Sequence, residues 1–197
     1  MSHPTLMSAA DTGLIVIDVQ EKLMPLLPHS KQLITNIAFL IDAATALNMT
    51  VQATEQYPKG LGATVQELAR RLPHRPDKLE FSCCAIPTVV ETFQRQGRPK
   101  VLVTGIMTNV CVLHSALDLL AEGFRVYVAA DAVTCPSEVD HDYALRRMEQ
   151  AGAIITTSET AAFEWVGRAG TPEFKTISRL VQERMKQLPV EDDSVPY

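Results

Sequence analysis

The chain has 197 residues, with 18 Lys plus Arg against 23 Asp plus Glu and a formal net charge of −5. That balance offers no positive field to nucleic acid or an anionic membrane, and no apolar run reaches the roughly 20 residues of a membrane span. Hydrophobic residues at 46% and charged residues at 21% suit one globular domain with a sizeable core.

Residues 1–11 have neither the basic start nor the apolar stretch of a secretory signal and are expected to form a loose arm. The domain is expected over 12–190. Its first strand, 14–17, ends at Asp18, and a helical pattern follows over 31–47. A second strand at 51–54 leads into TEQYPKGLG and a helix over 64–71. A weaker extended stretch, 77–82, carries Lys78 just after Pro76, and a helix follows over 87–96. The apolar run 101–103 stops at Thr104-Gly105 and leads through a turn to a helix over 110–122, near whose start Cys111 lies. Strands at 126–130 and 153–156 flank a helix over 138–151, for which Ser137 and Asp140 read as a capping box. Gly123 and Gly152 stand where helices stop. Helices over 159–167 and 173–187 complete the pattern, and 191–197 is expected as a loose acidic tail. The apolar residues Phe174, Ile177, Leu180 and Val181 of the last helix could face their own domain or a neighbouring subunit.

Short, non-alternating apolar runs separated by helices imply strands covered on both faces. The expected fold is therefore α/β: a three-layer, doubly wound sandwich with a six-stranded, mainly parallel sheet of order 3-2-1-4-5-6. In that order the sheet reverses between its first and fourth strands, and ligands bind beyond strand ends at such a reversal. Asp18 and Cys111 follow those two strands, and Lys78 arrives from the third.

Each residue has an ordinary reading by itself. Cys111 could be a small core residue, Asp18 could cap the next segment, and Lys78 could be a solvated charge. Together they make a coherent set: a base, a cation and a nucleophile whose thiol the cation and a helix N-terminus would favour as thiolate. Gln20, Leu23, Tyr57, Phe81, Thr108 and Asn109 lie near these residues in sequence. They are candidates for substrate binding, with packing around the crevice as the alternative.

LIVIDVQ at 14–20, Lys78 in KLEFSC and GIMTNVCV at 105–112 resemble the isochorismatase-like cysteine hydrolases. The TEQYPKGLG and TTSE segments are similar to the subgroup of isochorismatase domain-containing proteins. The resemblance implies amide cleavage through a Cys111 thioester, with Asp18 moving the proton and Lys78 supporting both. It also implies an oxyanion hole of the Met107 and Cys111 backbone N–H groups, opened by a cis peptide at Ile106-Met107. Metal-using relatives carry Asp-x-His and a further His after the second strand, and TEQYPKGLG has no histidine. Neither metal nor cofactor is expected, and His3, His29, His74, His114 and His141 show no ligand spacing. His114 is expected to pack on its helix and His141 to be an exposed first-turn residue.

Cys83 and Cys84 are adjacent and no CxxC pair exists, so a reducing, cytoplasmic setting is expected. The expected partners are a small-molecule substrate and further copies of the chain. Two alternatives stand beside the amidase reading: vinyl-ether hydrolysis of the isochorismatase type, which can proceed without a cysteine, and an oligomeric scaffold with a vestigial site.

Overall fold

The computed structural model describes residues 3–188. Six strands form one parallel sheet of order β3-β2-β1-β4-β5-β6: β1 (Thr12–Ile17), β2 (Thr50–Gln56), β3 (Asp77–Lys78), β4 (Lys100–Ile106), β5 (Arg125–Thr134) and β6 (Ile154–Thr156). The helices are α1 (Ser30–Ala46), α2 (Pro58–Leu61), α3 (Gln66–Ala69), α4 (Pro87–Arg95), α5 (Leu113–Ala121), α6 (Glu138–Gln150), α7 (Ser158–Val166) and α8 (Pro172–Gln187). The expected doubly wound sheet and its strand order are what the structure shows.

The central strand explains the three layers. All six residues of β1, TGLIVI, are buried. The pleat sends Leu14 and Val16 into a core with α1, α7 and α8, and Ile15 and Ile17 into a second core with α4, α5 and α6. Such a strand is covered on both faces, so its run shows no polar alternation.

Three elements differ from expectation. β3 has two residues, because the Lys78 ammonium bonds the carbonyls of Glu80 and Phe81 and curls the chain off the sheet. α3 begins late, because Thr64 pairs with Gln20 as an isolated bridge and gives its N–H to Glu55. The helix after β4 opens as a π-helical turn over Thr108–Val112 before α5 begins.

The N-terminal segment is tied down, which corrects the expectation of a loose arm. Met7 is buried and its N–H donates to the Glu164 carboxylate at 2.8 Å. The Lys100 ammonium donates to the Leu6 carbonyl at 2.6 Å, and Ala9 N–H to the Trp165 carbonyl at 3.2 Å. On α8, Ile177 and Val181 are buried in the chain's own core, so that stripe faces its own domain. The Arg184 guanidinium fastens the helix to Asn36 of α1 at 2.7 Å and to Asp131 of β5 at 3.2 Å. The tail expected at 191–197 lies outside the described residues.

Candidate active site

The register of β1 against β4 sets the site. Ile17 pairs with Gly105, and a Cβ at Gly105 would lie 2.1 Å from the Ile17 carbonyl oxygen. With φ at +115°, only glycine fits this position without strain. The two strand ends therefore leave the sheet side by side, one carrying Asp18 and the other the turn that bears Cys111.

Asp18 follows β1 with a positive φ of 55°, which aims its side chain across the end of the sheet. Its N–H bonds the Thr54 carbonyl at 3.2 Å. Its carboxylate accepts from the Thr54 hydroxyl at 2.7 Å and from the Lys78 ammonium at 2.7 Å. Both side chains of this ion pair are only 1% exposed. Lys78 has three donors, and they meet the Asp18 carboxylate, the Gln56 side-chain oxygen at 2.7 Å, and the Phe81 and Glu80 carbonyls at 3.1 and 3.3 Å.

Cys111 lies in the π-helical turn and is 6% exposed. The N–H groups of Val110 and Val112 both bond the Met107 carbonyl, at 3.0 and 3.2 Å, which ties the turn to the end of β4. The Ile106-Met107 peptide is cis. The thiol is pushed up to about 12, by burial first and then by the Asp18 charge and an Asp18 hydrogen bond. Lys78 and the Met107 N–H only partly offset this. Burial and the Asp18 charge thus work against the expected thiolate. The ammonium is committed to Asp18 and Gln56, and α5 starts two residues beyond the sulfur.

The pocket candidates separate into two groups. The Gln20 side chain is buried and grips the Gln56 backbone, giving its NH2 to the carbonyl at 3.0 Å and accepting the N–H at 2.7 Å. Thr108 is buried and its hydroxyl meets His141 Nδ1 at 3.0 Å. These polar atoms are engaged inside the protein. Tyr57 and Phe81, in contrast, present exposed rings beside the ends of β2 and β3. Leu23 is half-buried against the core, and the Asn109 side-chain oxygen is buried without a partner.

His141 is half-buried against Thr108 rather than exposed, and burial lowers its pKa. His114 stands edge-on to the Phe81 ring, centroids 5.6 Å apart. Among the described residues no three His, Cys, Asp or Glu side chains converge as a metal-ligand group, and all four cysteines are free thiols.

Sequence reasoning missed Thr54 and Gln56. Gln56 Oε1 bonds the Lys78 ammonium and lies 3.9 Å from Cys111 Sγ. The signal was present: two polar residues two positions apart share one face at the end of a buried strand. Glu55, on the other face, binds Thr64 and Arg75.

The molecule is an α/β protein whose doubly wound parallel sheet carries, at its reversal, a buried thiol beside a carboxylate–ammonium pair. The isochorismatase domain matches residues 12–160, and the chain belongs to the isochorismatase-like hydrolase family. It is 40% identical over 180 residues to a secreted isochorismatase effector of Phytophthora sojae, covering 88% of this chain and 85% of that one. It is 39% identical over 173 residues to isochorismatase domain-containing protein 2 of Bos taurus, covering 86% and 82%. A solved structure described as MAR1 ribonuclease from Caenorhabditis elegans superposes with a TM-score of 0.85 at 38% identity, covering 97% of both chains.

Proposed function

We propose that the chain is a cysteine hydrolase that cleaves a small amide through Cys111, with Asp18 as proton carrier and Lys78 as its electrostatic partner. The observation that carries this reading is a buried thiol, 3.9 Å from the Gln56 side-chain oxygen, beside the Asp18 carboxylate that a buried ammonium clamps. Burial and the neighbouring Asp18 charge both disfavour a preformed thiolate. The proton therefore passes to Asp18 as the sulfur–carbon bond forms and the carbonyl electrons move to oxygen. Collapse of that intermediate breaks the C–N bond, and Asp18 returns the proton to the departing nitrogen. Water then attacks the thioester, giving its proton to Asp18, and the released thiolate recovers that proton. The products are a carboxylic acid and ammonia or an amine.

The Met107 and Cys111 N–H groups are the proposed oxyanion donors, and the Met107 backbone already favours negative charge on the Cys111 sulfur. Losing one such donor costs about 3–4 kcal/mol of transition-state stabilisation. Tyr57 and Phe81 form the proposed rim for a small acyl group, with Leu23 and Asn109 deeper. Gln20 and Thr108 support the rim and the turn rather than touching substrate.

Ammonia release from a panel of small amides by wild type and Cys111→Ala tests the reading. Turnover lost in a variant that melts like wild type supports it, and retained turnover overturns the nucleophile. An RNA substrate belongs in the panel because one relative is described as a ribonuclease. The net charge of −5 gives RNA no attracting field.

Self-association is part of the proposal, since Val139 and Tyr143 stand exposed on α6 and offer an apolar contact. Light scattering on the purified chain tests it. Free thiols throughout fit a reducing compartment such as the cytoplasm. No helix among the described residues is long and apolar enough to cross a membrane.

A further inference from the structure

The Gln56 carboxamide is fixed at both ends. Its NH2 donates to the Leu79 carbonyl at 2.7 Å and its oxygen accepts from Lys78 Nζ at 2.7 Å. The flipped amide would set an N–H against the ammonium and an oxygen against a carbonyl, so one orientation is enforced. The backbone behind it is held as firmly, because Gln20 bonds both its N–H and its carbonyl. The result is a rigid carbonyl dipole whose negative end faces the Lys78 ammonium and, at 3.9 Å, the Cys111 sulfur.

We infer that Gln56 is a positioning residue that turns the Lys78 ammonium toward Asp18 and away from sulfur, so that the proton rests on Cys111 until substrate arrives. This rests on the cysteine-hydrolase reading for its catalytic meaning. With Gln56 in place, every Lys78 donor is occupied by oxygen. Without that oxygen the ammonium loses one of its four acceptors and one of its two 2.7 Å bonds, and the N–H that met it can turn toward the sulfur, where an ammonium–thiolate pair becomes the better arrangement. Such a resting thiolate would be exposed to oxidation and unwanted alkylation. The arrangement thus keeps the sulfur protonated between turnovers. The groups facing the sulfur are Asp18 from the end of β1, Lys78 from β3, the Gln56 oxygen from β2 and the Met107 N–H at the end of β4.

The test is the pH dependence of iodoacetamide alkylation of Cys111 in the full chain, followed on the Cys111 peptide by mass spectrometry so that the half-exposed Cys84 does not interfere. Gln56→Met removes the oxygen at similar length and is expected to speed alkylation at pH 8 by about tenfold or more, as one unit of thiol pKa does. Gln56→Glu places a charge on that oxygen and is expected to slow it severalfold. A purely structural role moves melting temperature in both variants and leaves the alkylation profile where it was. That result, or a shift of both variants in the same direction, overturns the inference. Should the Met variant not fold, the near-isosteric Glu variant decides alone, by whether alkylation slows. The readout needs no substrate, so a wild type inactive on amides refutes the hydrolase reading while the alkylation shifts still decide the role of Gln56. Cys111-dependent amide cleavage with unmoved profiles refutes only the positioning.

Discussion

Strand β1 is bracketed by two aspartates, Asp11 just before it and Asp18 just after it, and each is paired with a lysine at 2.7 Å. The outer pair, Asp11–Lys100, keeps Asp11 35% and Lys100 11% exposed, while both members of the inner pair are 1% exposed. Chemically the pairs are alike, and water separates their meanings. The outer ammonium also holds the Leu6 carbonyl, so its task is to clip a terminal segment to the sheet. The inner ammonium is enclosed by oxygen acceptors next to a thiol, where burying two charges costs more than the contact returns. A fold does not need such a pair for stability, and its place at the switch point of the sheet is what the proposed chemistry uses.

The largest expected effect comes from splitting the inner pair. Lys78→Met leaves the Asp18 carboxylate buried without its cation, although the Thr54 hydroxyl still bonds it, and is expected to cost about 3–5 kcal/mol in urea unfolding. The double variant Asp18→Asn/Lys78→Met removes both charges and is expected to recover most of that loss while remaining inactive. A double variant as unstable as the single one would mean that the ammonium's bonds to Gln56 and the loop carbonyls, rather than the ion pair, hold this corner together.

The next effect tests the approach of the strands that carry the pair and the thiol. Gly105→Ala places a methyl against the Ile17 carbonyl at a φ of +115° and is expected to cost about 2–4 kcal/mol. Because Ile17 precedes Asp18, the displaced strand end also separates the carboxylate from the sulfur, so amide turnover should fall further than stability alone dictates. Thermal melts beside turnover at a temperature where the variant is folded check both parts. Unchanged turnover in the folded fraction would detach the site from this contact.

The strand order was legible because short apolar runs alternate with helices, and βα connectivity decides which runs become neighbours. Asp18 and Cys111 come after two of those runs, whereas Lys78 comes after the polar stretch HRPD and was placed by strand order alone. The surroundings of the thiol were not legible. Reading Lys78 as the partner of Cys111 gives a thiolate, and only the geometry shows its donors committed to Asp18, Gln56 and the carbonyls of its own loop. Gln56 escaped notice because its importance comes from a side-chain orientation fixed by Leu79, 23 residues away. The N-terminal segment misled for a similar reason. Its polar sequence looks unanchored, and its anchors, Glu164, Trp165 and Lys100, lie far along the chain.

The smallest effect belongs to the outer pair. Burial by itself raises the Asp11 carboxyl, but bonds from Lys100, Ser8 and Thr12 outweigh it and hold the pKa below its ordinary value. A carboxylate lowered in the folded state adds stability above its unfolded pKa near ~3.9 and loses that stability as pH falls through the folded value. Asp11→Asn is expected to cost under about 1 kcal/mol at pH 7, because the group is more than a third exposed and screened. The loss should be local. Lys100 keeps the Leu6 carbonyl, Met7 keeps Glu164, and the Ser8 N–H loses an ionised acceptor. Hydrogen exchange at the Ser8 amide should therefore accelerate in the variant at pH 7 and in wild type only as pH falls through the lowered folded pKa of Asp11, while amides of β1 stay protected. If β1 amides accelerate equally, the outer pair supports the sheet itself, and the division of labour between the two ends of β1 fails.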